Sequence, residues 1–175
     1  MPAPIREIPV PPGTEIHRHL PGAYFHDCYA QPADEPLPSA LALYLASVAR
    51  TPGWINGLMR LRNRIVSSLF GLKDLGLMGE VSAAKPLADY RVGDRVGIFS
   101  LLHLSDDEVI LGDFDKHLQA RVSLCRTRLD GRAAIAVSTV VHVHNFLGRA
   151  YLFFVVPMHR VIVPAVMARA LPEAA

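Results

Sequence analysis

Cysteine is nearly missing from this 175-residue chain, which holds only Cys28 and Cys125, far apart in sequence. Two cysteines do not make a disulfide framework, so a reducing compartment is the default expectation. Charge of one sign is equally scarce. The formal net charge is +2 and the Lys and Arg residues are scattered, so no basic stripe supports a nucleic-acid partner. The densest basic group, Arg60, Arg62 and Arg64, reads as the wet side of a helix. Long apolar runs are absent too. The stretch AYLFFVV (150–156) falls far short of the ~20 residues of a membrane span, and Pro157 follows it. The first 20 residues carry five prolines and mixed charges but no apolar core of a secretory signal. Together these gaps predict a cytoplasmic protein with no membrane span.

What remains is apolar. With 51% hydrophobic and 19% charged residues, the chain can build a substantial core, and its length suits one domain. We divide it into an irregular N-terminal arm, residues 1–20, and a single domain, residues 21–175. AYFHDCYA (23–30) suits a first strand. SALALYLASVAR (39–50) has helical spacing at Leu41, Leu45 and Val48. Thr51 and Pro52 then open a second helix, in which Trp54, Leu58, Leu61, Ile65 and Leu69 form one apolar stripe.

Beyond residue 95 the period changes to two. Strands are predicted at about 96–104, 107–113, 117–129, 132–145 and 149–156, with turns at Ser105-Asp106, Asp130-Gly131 and Phe146–Gly148. Pro157 fits the first position of a closing helix that runs to about Leu171, and Pro164 should kink or break it. The order of elements is α+β. A curved antiparallel sheet wrapped around the last helix, with two helices inserted after the first strand, would bury both.

The Asp130-Gly131 turn sets a register in which Leu129 faces Arg132, so Gln119 faces His142 and His117 faces His144. One face then carries Leu118, Ala120, Val122 and Leu124 with Ile135, Val137, Val141 and Val143, a core face. The other gathers Asp115, His117, Gln119, Arg121, His142 and His144 into a polar cluster. Asp115, His117 and His142 are the catalytic candidates, with Asp115 able to orient a histidine near neutral pKa and Arg121 able to hold an anion. His142 and His144 at i, i+2 could ligate a metal, but no Glu follows as in a cupin, and no metal or cofactor is implied. Continued through Arg149, the register leaves both faces of the 149–156 strand apolar, with Leu152 and Phe154 on the second. Another chain or the arm must cover that face, and a homodimer is one way to do it.

WINGLMRLRN (54–63), LGDFDKHLQAR (111–121) and STVVHVHNFLGRAYLFFVVPMHR (138–160) resemble the signature blocks of the bacterial domain-of-unknown-function 2867 family, from about Ala23 to Arg169. The resemblance implies a START-like (SRPBCC, helix-grip) fold enclosing a largely apolar cavity between sheet and last helix. Such folds carry lipids, hormones or polyketides, and some act as cyclases or hydratases. Some relatives carry the domain behind a nucleotide-binding reductase domain. This chain has no GxGxxG-type fingerprint. The polar residues that repeat in the family map to Asp115, His117, Arg121, Asn145, Arg149, Tyr151 and His159. With Trp54, Arg62 and His144, the last five of these, Arg121, Asn145, Arg149, Tyr151 and His159, complete the binding candidates.

The favoured expectation is a binding protein for a small apolar or amphipathic molecule, lipid- or polyketide-like, held in that cavity. An enzyme of cyclase, hydratase or hydrolase type using the His/Asp/Arg cluster is the alternative, and a homodimeric interaction module is a third.

Overall fold

Alternating residues pair where their period says they should. The computed structural model describes residues 4–58 and 85–171. Its strands are β1 (Arg6–Glu7), β2 (Phe25–Pro32), β3 (Arg95–Val96), β4 (Phe99–Leu104), β5 (Glu108–Phe114), β6 (Leu118–Leu129) and β7 (Arg132–Val143). They form one curved antiparallel sheet in the order β1-β2-β7-β6-β5-β4-β3. Asp130 and Gly131 both have positive φ, 51° and 78°, the geometry of a tight hairpin turn that matches strand twist. Leu129 pairs with Arg132 and Gln119 with His142, which is the expected register.

The helices are α1 (Ala40–Ala49), the start of α2 (residues 53–58) and α3 (Phe146–Met167). Ser39 caps α1 by accepting the Ala42 amide. Sheet and C-terminal helix make the α+β helix-grip arrangement. The remainder of the expected second helix, including Arg62 and the stripe positions Leu61, Ile65 and Leu69, lies outside the described residues. Trp54, expected in the core stripe, is 47% exposed, and Ile55 beside it is fully buried instead.

The largest correction concerns residues 146–156. The expected turn at Phe146–Gly148 and strand at 149–156 are the first half of α3, which starts eleven residues before Pro157. Asn145, one of the binding candidates, is its N-cap, accepting the Gly148 amide at 3.2 Å. The helix runs on through Pro157 and through Pro164, where a kink or break was expected. Each proline loses one backbone bond, and Pro164 stands so near the helix end that few bonds remain to lose. The run LFFVV has strong strand propensity, but β7, which it follows, is already paired on both sides, by β6 and β2. Helical period therefore replaces alternation. Leu152 is buried, while Phe153 (placed on the core face above) is 77% exposed and Phe154 is 66% exposed. At 22 residues and mean hydropathy 1.7, α3 is by length and composition apolar enough to cross a membrane, which the seven-residue run alone was not. Its apolar side chains point two ways, toward the sheet and outward at Phe146, Phe153, Phe154 and Val161.

Both faces of the sheet need cover, and the arm supplies it on the outer one. Val10 and Ile16 pack on Cys28, Ile110, Cys125 and Val140, and Ile16 has no exposure at all. The arm is less irregular than expected: Arg6 and Glu7 add an edge strand opposite Ala30 and Tyr29, and Ile16–His19 make a 3-10 turn. A buried carboxylate holds that turn. Glu108 accepts the amides of Glu15 (2.6 Å) and Ile16 (3.1 Å) and the Ser123 hydroxyl (2.7 Å). These bonds satisfy amides that would otherwise be stranded at the start of the turn. Glu108→Gln puts an amide group where two donors point. It should lower unfolding free energy by about 1–3 kcal/mol and speed hydrogen exchange at the Glu15 and Ile16 amides before the strands exchange.

Both cysteines lie under the arm as free thiols. Burial pushes Cys28 up to about 11 and Cys125 up to about 12. In the unfolded chain a thiol titrates near ~8.5. The raised folded values favour the protonated forms in the fold, so their contribution to stability is full below about pH 8.5 and lost as pH rises through 11 to 12. At pH 8 the folded protein should leave both thiols unreacted with a disulfide reagent, and denaturant should release two. Melting temperature should fall steadily above pH 9.

Candidate functional site

The concave face of β6 and β7 is apolar because alternation puts Leu118, Ala120, Val122 and Leu124 beside Val137 and Val141. α3 does not lie flat on that face. At its start the missing side chain of Gly148 admits the carbonyl of His117, since a Cβ there would come within 2.5 Å of that oxygen. At its end Met167 and Ala170 pack with Leu41 and Val48 of α1, and Arg50 donates to the carbonyls of Arg169 and Leu171. Between these anchors lies a cavity of about 220 Å³. From α3 it takes Leu152, Val155, Val156, Ile162, Val163 and Val166, and from α1 it takes Tyr44, Ser47 and Val48. Burial raises the Tyr44 phenol far above its ordinary range, and the Ser47 hydroxyl donates to the Tyr44 carbonyl. Among the described lining residues there is no Lys or Arg.

Asp113, Thr139, Tyr151 and His159 interrupt this wall, and a buried carboxylate backs two of them. Asp27 of β2 is 6% exposed and pairs across the sheet with Thr139 of β7, so both point inward. His159 of α3 meets them. Its Nε2 lies 3.2 Å from Asp27 Oδ1 and 3.1 Å from Thr139 Oγ1. Asp27 Oδ2 is 3.1 Å from the same nitrogen, but off hydrogen-bond alignment, and has no other partner among the described residues. Phe25 stands edge-on to the imidazole at 5.7 Å. A carboxylate accepts only, so Nε2 carries a proton, and in the neutral imidazole Nδ1 keeps a lone pair. The group can hold a polar atom of a molecule in the cavity, or exchange a proton with it.

The other candidates divide by place. Asp115, His117 and Asn145 form a clasp at the head of α3. Asp115 accepts the amides of His117 and Leu118, His117 Nδ1 donates to Asn145 Oδ1 at 3.1 Å, and Asn145 Nδ2 donates to the Lys116 carbonyl. His117 Nε2 is buried without a hydrogen bond among the described residues. Gln119, Arg121 and His142 stand on the outer face at the arm. Arg121 stacks over Phe114 at 4.6 Å and reaches Gln119, and His142 Nε2 donates to the Pro21 carbonyl at 3.1 Å. His19 of the arm joins them, held below its ordinary value by partial burial and by Arg121. His144 is exposed, and Arg149 is exposed beside Tyr24. Tyr151 and His159 line the cavity. The expected six-residue cluster is thus drawn apart into the clasp and the arm contact, and the structure places none of its members in the cavity lining. No three His, Cys, Asp or Glu side chains among the described residues could hold a metal ion.

Asp27 and Thr139 were missed by sequence reasoning, though each left a signal. In Phe25-His26-Asp27-Cys28-Tyr29 the acid occupies the same parity as two aromatics, a charged residue on a core face. Thr139 breaks the apolar series Ile135, Val137, Val141 at one position. Asp27→Leu should remove the carboxylate from the imidazole and leave the sheet register intact. Its expected signature is a changed His159 ring signal in NMR, with backbone amide shifts of β6 and β7 altered only near residue 139.

The family model described as "Protein of unknown function (DUF2867)" matches residues 19–166. No curated protein matches the chain. Among solved structures it is similar to the "Crystal structure of Ara h 8.0201", at 11% identity and a TM-score of 0.34, over 83% of this chain and 98% of that one.

Proposed function

The chain belongs to the DUF2867 family, a family of unknown function, and we propose that this member binds a small apolar or amphipathic molecule in the cavity between sheet and α3. One observation carries the reading: an apolar space of about 220 Å³ kept open beneath a helix that is anchored at both ends. Close packing is the rule in protein interiors, and an unfilled apolar space loses contact energy. A space of this size is therefore a cost that a ligand would offset. Volume narrows the class. An engineered apolar cavity of ~150 Å³ takes up benzene, and drug-sized sites run to ~300–1,000 Å³. The fit is to a bicyclic aromatic, a one-ring polyketide or a short acyl chain, smaller than a two-chain lipid.

Two measurements test this. Native mass spectrometry of the purified protein, followed by solvent extraction, should release a small organic molecule of that bulk, or show an empty protein that takes up naphthalene. Val137→Phe places a ring in the cavity and should weaken naphthalene uptake by roughly tenfold or more, equivalent to about 1.4 kcal/mol, while thermal stability holds or rises. Uptake unchanged by the filled cavity would remove the reading.

A further inference from the structure

The polar group in the cavity wall specifies more than bulk. We infer that Asp27, His159 and Thr139 form an anchor for a neutral hydroxyl group, so that the ligand is a phenol, enol or alcohol and not a carboxylic acid. This rests on the cavity-binding reading above.

The argument starts from donors and acceptors. Asp27 is buried and can only accept, so the proton on His159 Nε2 belongs to their hydrogen bond. That nitrogen cannot then accept from Thr139, although the two atoms are 3.1 Å apart. The Thr139 proton is free to turn toward the cavity that this residue lines. His159 lines the same space, and its Nδ1 has no hydrogen-bond partner among the described residues. The wall thus offers a donor and an acceptor from neighbouring side chains. A hydroxyl can accept from Thr139 or donate to the imidazole lone pair, whereas a carbonyl can only accept from Thr139.

Charge decides the rest. An anion at this point would face the Asp27 carboxylate in an apolar surround, with no Lys or Arg among the described lining residues to neutralise it. Like charges so placed repel, and an unpaired charge there would be costly to desolvate. A fatty acid or aromatic acid is disfavoured for both reasons. The edge-on Phe25 ring packs against the imidazole and limits its rotation.

Isothermal titration of the full chain with naphthalene, 2-naphthol and 2-naphthoate separates the possibilities, because the three share one bulk. 2-Naphthol should bind roughly two- to tenfold more tightly than naphthalene, the range of a net hydrogen bond. 2-Naphthoate should bind most weakly. The nitrogen-15 signals of the His159 ring should move on adding 2-naphthol and stay in place with naphthalene. Thr139→Val keeps the side-chain shape and His159→Phe keeps an apolar ring. Each should erase much of the 2-naphthol preference while naphthalene still binds. Equal affinity for naphthalene and 2-naphthol, strongest binding of 2-naphthoate, or a preference that survives both variants would overturn the anchor and leave the cavity reading standing. Binding of none of the three would overturn the cavity reading and the anchor with it.

Discussion

The distance between α3 and the sheet is the constraint on which the rest of this molecule depends. It is set at the two ends of the helix by contacts of very different kinds. At the head, Gly148 admits a backbone carbonyl so closely that any side chain would push the helix away. The Asn145 cap and His117 fix its direction there. At the tail, Met167 and Ala170 are built into the same core as α1, and Arg50 ties down the last carbonyls. A helix held this way spans the concave sheet as a beam spans a trough. The Asp115–His117–Asn145 group is best understood as the bearing at one end of that beam.

The sheet has to solve a second problem, since its outer face is also apolar. An antiparallel sheet with one wet face needs no cover there, but Cys28, Ala30, Ile110, Cys125, Ala136 and Val140 make that face a second core. The arm buries it, and a carboxylate inside the sheet holds the arm through its own amides. Glu108 takes a charge into a protected place and offsets the desolvation with three charge-assisted hydrogen bonds. The two buried charged groups therefore do opposite things. Glu108 has its hydrogen bonds made within the chain, whereas Asp27 and His159 meet Thr139 beside a cavity.

α3 carries apolar residues on its outer side as well, at Phe146, Phe153, Phe154 and Val161. Its composition is thus more apolar than a helix with one buried stripe requires. This double-sided character explains why the segment does not read as an amphipathic helix: with apolar residues all round, no period stands out.

Sequence alone determined the β4–β5 and β6–β7 hairpins and the inner face of the sheet. Alternation has a period of two, Asp130-Gly131 permits one tight turn, and a register follows from those facts without knowledge of anything distant. α1 was legible for the same local reason, through the helical spacing of Leu41, Leu45 and Val48. The state of residues 146–156 was decided by tertiary structure, because aromatic and β-branched residues fit a strand or a crowded helix, and only the placing of β2 beside β7 removes the hairpin partner a strand there would need. The grouping of candidate residues was decided there as well. His117 and His142 are near neighbours on paper, yet one faces a helix cap and the other the arm. Asp27 and His159, 132 residues apart, meet because β2 is drawn beside β7 and α3 passes over both. Contacts across that separation depend on the three-dimensional path of the chain, and no local pattern of residue types encodes such a path.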